Sequence, residues 1–217
     1  VIDLSATTEG ENAYFLPPAH AAFLTRNAGS NNLGVYTQEI PLLTSCAIEA
    51  VNSGFTTGDG ISFSQYPEFQ EFMGQLADAK HRQVLIPHFL PSVDNGKLIQ
   101  RLTNGIRVCD IGCGQGTALN LMAEKFPKST FTGIDNHEDA LWTAQDAAQN
   151  MGLANVDYIM RDAAKIEGQE EFYRRFDYVC AFDAIHDQRH PLEVLKSIHW
   201  MLAPRRFVFH GGYQGRL

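Results

Sequence analysis

The run Asp110-Ile111-Gly112-Cys113-Gly114-Gln115-Gly116-Thr117 sets three glycines at alternate positions, directly after an apolar segment and directly before a helical pattern. Glycines there permit a tight turn and let backbone N–H groups approach a ligand at the positive end of the following helix. The spacing is G-x-G-x-G. A dinucleotide fingerprint, G-x-G-x-x-G, would need glycine at 117, where Thr117 stands, and this weakens a pyrophosphate reading. A turn that merely joins strand to helix is the plain alternative.

Carboxylates recur at matching places downstream. Asp110, Asp135, Asp162 and Asp183 each stand at or just past the end of an apolar segment. In an open α/β sheet such ends line the crevice where ligands bind. Four acids there favour a ligand with hydroxyls and a cationic or amino group over a phosphate. Asp135 follows Gly114 by 21 residues, a distance at which an acid can accept hydrogen bonds from both ribose hydroxyls. Each acid could equally cap the helix after it, and the two roles can coexist.

His186 follows the fourth of these segments and could serve as a base or simply bond at a helix start. His186 and His190 stand four apart, but Pro191 disfavours helix at His190, so no metal site is expected. Tyr36, Phe63 and Tyr66 could line an acceptor pocket or belong to a core.

Strands and helices must hold these groups in place. Strands are expected at Val108 to Ile111, Thr130 to Ile134, Val156 to Met160 and Tyr178 to Phe182, with a fifth opening at Phe207 to Phe209. Between them fall helical stripes: Ala118, Leu119, Leu121, Met122 and Phe126; Leu141, Ala144, Ala148 and Met151; Leu192, Leu195, Ile198 and Leu202. Strands alternating with helices give βαβ units, hence an α/β fold with a doubly wound, mostly parallel sheet. Ahead of it, Val1 to Leu4 and Ala13 to Leu16 predict a hairpin around a polar turn, and residues 17 to 60 predict short helices and loops. A helix from Pro67 with Phe69, Phe72, Met73 and Leu76 on one face should end before Pro87, and Pro87 to Gly96 reads as the joint to the second unit.

The 217 residues suffice for one full domain with a smaller appendage. With 44% hydrophobic and 19% charged residues, nothing points to disorder, and no run approaches the roughly 20 apolar residues of a membrane span. No membrane partner is expected. Four cysteines without C-x-x-C pairing fit free thiols in a reducing, cytoplasmic setting. The net charge of −8 is uneven: residues 1 to 75 hold eight acids against Arg26 alone. Such a segment repels phosphate backbones, so nucleic acid is not expected as a partner.

Val108-Cys109-Asp110-Ile111-Gly112-Cys113-Gly114-Gln115-Gly116 resembles motif I of the class I S-adenosylmethionine-dependent methyltransferases. Ala181 to Asp187 and Leu202-Ala203-Pro204 are similar to that family's later landmarks, and Tyr14 to His20 resembles the wing end of the winged-helix domain found in one branch. The resemblance implies a Rossmann-like domain over residues 91–217 and a partial winged-helix remnant with a helical linker over residues 1–90. It implies S-adenosyl-L-methionine as cofactor and a small-molecule methyl acceptor. The loop at Gly112, Cys113, Gly114 and Gly116 would cradle the methionine part, with Asp110 near its amino group. Asp135 would hold the ribose diol with Asn136 beside it, Asp162 and Ala163 would meet the adenine edge, and Phe182 and Asp183 would close the methionyl side. His186 would be the base for a hydroxyl acceptor.

Two departures accompany the resemblance. Arg205-Arg206 replace the usual glycines after Leu-Ala-Pro, and eight residues follow Phe209. Helices that would precede the hairpin, which in this branch commonly form a homodimer interface, do not precede Val1. The chain is therefore expected to be a fragment of a methyltransferase, or a natural truncation of one, with its sheet incomplete. The competing readings are a nicotinamide-dependent oxidoreductase and a non-catalytic cofactor-binding or regulatory module.

Overall fold

The computed structural model describes residues 3–6, 12–58, 72, 74–75 and 81–211, and divides the chain into two units, Val1–Gln83 and Val84–Leu217. In the first, β1 (Asp3–Ala6) and β2 (Asn12–Phe15) pair antiparallel, with Leu4 opposite Tyr14. Of the turn expected over Thr7 to Asn12, Asn12 instead opens β2, and residues 7–11 lie outside the described set. Helix α1 (Pro18–Leu24) starts on Pro18, whose fixed φ and missing N–H suit a first turn. Two 3₁₀ turns, Arg26–Asn31 and Leu33–Gln38, lead into α2 (Glu39–Thr57), which stops at Gly58 in the left-handed region (φ 74°). At 19 residues α2 is longer than the short helices expected, because β-branched residues such as Ile40, Thr44, Ile48 and Val51 lower the local helix signal. Phe72, Gly74 and Gln75 are helical and Phe72 is buried; Pro67, Phe69, Met73 and Leu76 lie outside the described residues.

The expected stop before Pro87 is corrected. Helical backbone continues through a π-turn at Leu85–Phe89 and a short helical turn at Leu90–Ser92. The wide turn admits the Pro87 ring, and Pro91 sits at a helix start where no N–H is required. The helical backbone breaks at Val93, which is extended (ψ 127°), and turns through Asp94 and Asn95 (φ 50° and 52°) and Gly96 (φ 82°), before α3 (Lys97–Asn104).

From there strand and helix alternate: β3 (Arg107–Ile111), α4 (Thr117–Lys125), β4 (Thr130–Asp135), α5 (Glu138–Asn150), β5 (Val156–Met160), β6 (Phe176–Phe182), α6 (Pro191–Met201) and β7 (Leu202–Gly211). The sheet order is β5-β4-β3-β6-β7, and each adjacent pair is parallel. The expected doubly wound sheet is present. The order in which strands are added reverses between β3 and β6, which is the switch point of such folds.

Side-chain alternation along β3 feeds two cores. Val108 packs with Leu98, Leu102, Leu119, Met122, Phe131 and Tyr178 on one face. Cys109 and Ile111 pack with Ile134, Phe172, Val179, Val194 and Ile198 on the other. At the opposite end from the crevice, the carboxylate of Asp177, 8% exposed, accepts from the Arg107 backbone N–H and Nε, both at 3.1 Å. That pairing offsets the cost of a buried charge and registers the starts of β3 and β6.

Two stripes differ from expectation. In α6 the buried positions are Val194, Ser197, Ile198 and Met201, while Leu192 is 61% exposed. The helix is turned by about one residue so that Ser197 Oγ can accept the Glu167 N–H at 3.0 Å. Met151 lies past the end of α5, whose buried positions are Ala140, Leu141, Ala144 and Ala148. The fourth parallel strand begins at Phe176, two residues early, and β7 begins at Leu202 with an irregularity opposite Phe176 and Tyr178. At the end of α6, Trp200 donates from Nε1 to the Gln169 carbonyl at 3.0 Å and packs on Tyr173 with ring centres 4.5 Å apart. Trp142 on α5 is 73% exposed.

Candidate functional site

The ends of four strands meet around the glycine loop. The Gly112 N–H donates to the Ile134 carbonyl at 2.8 Å, tying the β3 loop to the end of β4. The Gly114 N–H donates to Asp135 Oδ2 at 2.8 Å, and the His137 N–H to Asp135 Oδ1 at 3.0 Å. The Arg161 N–H donates to the Asp135 carbonyl at 2.9 Å, which brings the end of β5 alongside. On the other flank a Cβ on Gly112 would lie 2.5 Å from Ala184 Cβ, so only glycine lets the loop after β6 approach.

Gly112, Gly114 and Gly116 all have positive φ (69°, 52° and 73°). The third closes the loop as the residue before α4, and its carbonyl accepts the Asn120 N–H at 2.9 Å. Nothing lies within 4 Å of the direction a Gly114 Cβ would take, so the middle of the loop faces open space.

Asp110 stands one residue inside β3 rather than at its end and is 2% exposed. Its Oδ1 is buried and makes no hydrogen bond among the described residues. Burial pushes its carboxyl up to about 8; the Cys180 thiol pulls it partly back and the Asp135 charge pushes it further up. Burial likewise raises the thiols of Cys109, Cys113 and Cys180, which are free. Burial holds all three as neutral thiols.

The remaining expected residues are placed as follows. Asp162 caps a 3₁₀ turn, accepting the Ala164 N–H at 3.0 Å, and pairs with Lys165 at 3.1 Å. Its capping role is therefore filled. Ala163 is buried, whereas Asn136 is exposed. Phe182 is half-buried, edge-on to Phe89 with centroids 5.5 Å apart. Asp183 is exposed and left-handed (φ 52°), a backbone state uncommon outside glycine. His186 is exposed, with Nε2 3.5 Å from Asp187 Oδ1. No group of metal-ligating side chains occurs among the described residues. Tyr36 is 45% exposed in the first unit; Phe63 and Tyr66 lie outside the described residues.

The sequence reading missed the polar support beneath the loop. Tyr158 on β5 donates to Asn120 Oδ1 at 2.8 Å, and Asn120 Nδ2 donates to the Ala144 carbonyl at 3.3 Å. Asn120 is 3% exposed in an otherwise apolar stripe, and that lone buried amide was the available signal.

Fold and site together define an open α/β ligand-binding domain whose crevice offers backbone donors and carboxylate acceptors. Residues 102–209 match the family described as a methyltransferase domain. An N-methyltransferase 4 from Papaver somniferum is 30% identical over 110 residues, covering 50% of this chain and 30% of that protein. A ubiquinone biosynthesis O-methyltransferase from Pseudomonas aeruginosa (strain LESB58) is 32% identical over 105 residues, covering 48% of this chain and 43% of that protein. Among solved structures, a SAM-dependent methyltransferase from Aquifex aeolicus superposes with a TM-score of 0.46 at 22% identity, covering 60% of this chain and 69% of that one. The chain spans less than half the length of these two curated relatives.

The residues present fit an S-adenosylmethionine-type ligand on their own chemistry. A buried carboxylate with one oxygen, Asp110 Oδ1, left unpartnered suits an ammonium or sulfonium, Asp135 keeps a lone pair on each oxygen for hydroxyls, and the open centre of the loop leaves backbone room.

Proposed function

We propose that the second unit binds S-adenosyl-L-methionine and that the protein transfers its methyl group to a small-molecule nitrogen or oxygen acceptor. The observation that carries this reading is the buried Asp110 carboxylate with its unpartnered Oδ1, set beside a glycine loop braced by Asp135. The methyltransferase-domain match over residues 102–209 and the names of the N- and O-methyltransferase relatives support it.

When bound, the cofactor supplies an activated methyl on a cationic sulfur, so the protein's main task is alignment. In this reading Asp110 faces the amino group, Gly112, Cys113, Gly114 and Gly116 enclose the methionyl part, and Asp135 with Asn136 holds the ribose. Asp162 and Ala163 border the adenine, and Phe182 and Asp183 wall the remaining side. His186, at the rim after β6, takes the proton of a hydroxyl acceptor. Residues 1–90 form a winged-helix remnant with its linker and residues 91–217 the cofactor domain. The protein forms a homodimer through the N-terminal helices that serve as the interface in this branch, and it works in the cytoplasm without membrane or nucleic-acid partners.

Calorimetric titration with S-adenosylmethionine and, separately, NAD tests the core of this reading. A folded chain should bind the first and not the second, and Asp135→Ala should weaken binding by roughly tenfold or more. Binding of NAD alone, or of neither, would overturn it. With a hydroxyl acceptor in hand, His186→Gln should lower kcat by about a hundredfold and leave cofactor affinity unchanged; an unaltered kcat removes the base assignment.

A further inference from the structure

The glycine loop rests on an aromatic floor. A Cβ on Gly116 would collide with Tyr158 Oη, and one on Gly133 would lie 2.5 Å from Tyr158 Cδ1 and 2.7 Å from Cys113 Sγ. Two glycines on two different segments thus make room for the same ring. Gly133 is an interior residue of β4, where glycine otherwise weakens a strand, so its presence there has a steric cause.

Polar contacts fix the ring's height. Tyr158 Oη gives its single proton to Asn120 Oδ1 at 2.8 Å and sits 3.4 Å from the Gly116 carbonyl. That carbonyl is the one that accepts the first backbone bond of α4, from Asn120. Asn120 then reaches the Ala144 carbonyl on α5. One hydroxyl therefore links β5, the last glycine of the loop, the first turn of α4 and the middle of α5. Burial keeps the phenol protonated by raising it well above its ordinary range, so it remains a donor.

We propose that Tyr158 is a positioning residue for the cofactor: its ring and hydroxyl set the height of the Gly112–Gly116 loop over the crevice, and thereby the affinity for S-adenosylmethionine. The inference rests on the cofactor reading above. Tyr158 faces the underside of the loop and does not touch the ligand. It acts through Gly116, whose N–H donates to the Cys113 carbonyl at 2.9 Å and so transmits any tilt to the loop's centre.

The test uses the full chain and S-adenosylhomocysteine as titrant, with melting followed in parallel. Tyr158→Phe keeps the ring and removes the hydroxyl, leaving Asn120 Oδ1 without its donor. It should weaken binding roughly five- to tenfold and speed hydrogen exchange at the Gly116 and Asn120 amides. The double variant Tyr158→Phe with Asn120→Leu removes both polar partners, so Tm should recover while affinity stays weak. Unchanged affinity in Tyr158→Phe, or recovery of both affinity and Tm in the double variant, overturns the inference. So does failure of both variants to fold, which would make Tyr158 a brace for the whole unit. A folded wild-type chain that does not bind the titrant sinks the cofactor reading itself, a result distinct from equal binding by wild type and variant.

Discussion

Asp110 occupies a place where a carboxylate is costly unless something arrives to meet it. It is 2% exposed and its Oδ1 makes no bond among the described residues. The acid is raised to about 8, chiefly by burial. Between the ordinary carboxylate range and pH 8 the folded chain therefore keeps a proton that the unfolded chain releases. Stability should fall as pH rises from about 4 to 8 and level off above, with a slope of at most about 1.4 kcal/mol per pH unit from this group. Asp110→Asn should remove that component, so urea unfolding of both proteins across this range would show their stabilities converging as pH falls. Parallel profiles would mean that Asp110 ionises freely in the folded chain. Asp135 differs because its two oxygens already hold the Gly114 and His137 amides. Its replacement should disturb the loop as well as any ligand.

At the scale of elements, β3, α4, β4 and β5 were legible because strong apolar runs alternate with a 3.6-residue stripe and the glycine loop marks the joint. The α6 stripe was read one residue off, since Leu192, Leu195 and Ile198 fit a helical face as well as Val194, Ile198 and Met201 do. What decided between them, the Ser197 hydroxyl bound to the Glu167 N–H, is a tertiary contact with no local signal. The Tyr158 to Asn120 bond was equally hidden, because its partners are 38 residues apart and each looks ordinary in its own segment. The contrast between stripes can be measured. Leu119→Ala, at a fully buried site on α4, should cost about 2–5 kcal/mol. Leu192→Ala should stay within about 0.5 kcal/mol. A large loss at Leu192 in thermal or urea unfolding would restore the stripe expected from sequence.

At the scale of the molecule, β3, β4 and β6 of the second unit have paired neighbours on both sides and side chains packed on both faces. Native-state hydrogen exchange should therefore find the slowest amides in these three strands, with β5 faster because, among the described residues, β4 alone pairs with it. Equally fast exchange across β3 and β5 would contradict the central position of β3. The chain's two tryptophans divide between unlike settings. Trp200 is bonded through its indole N–H and stacked near Tyr173, while Trp142 stands in solvent. The protein thus carries two built-in optical reporters: a shielded indole emitting toward the blue that reports whether the α6 side is folded, and a wet one emitting toward the red that soluble quenchers reach first. Selective quenching separates the two signals without a label, and a residual blue emission that survives the quencher counts the folded fraction directly.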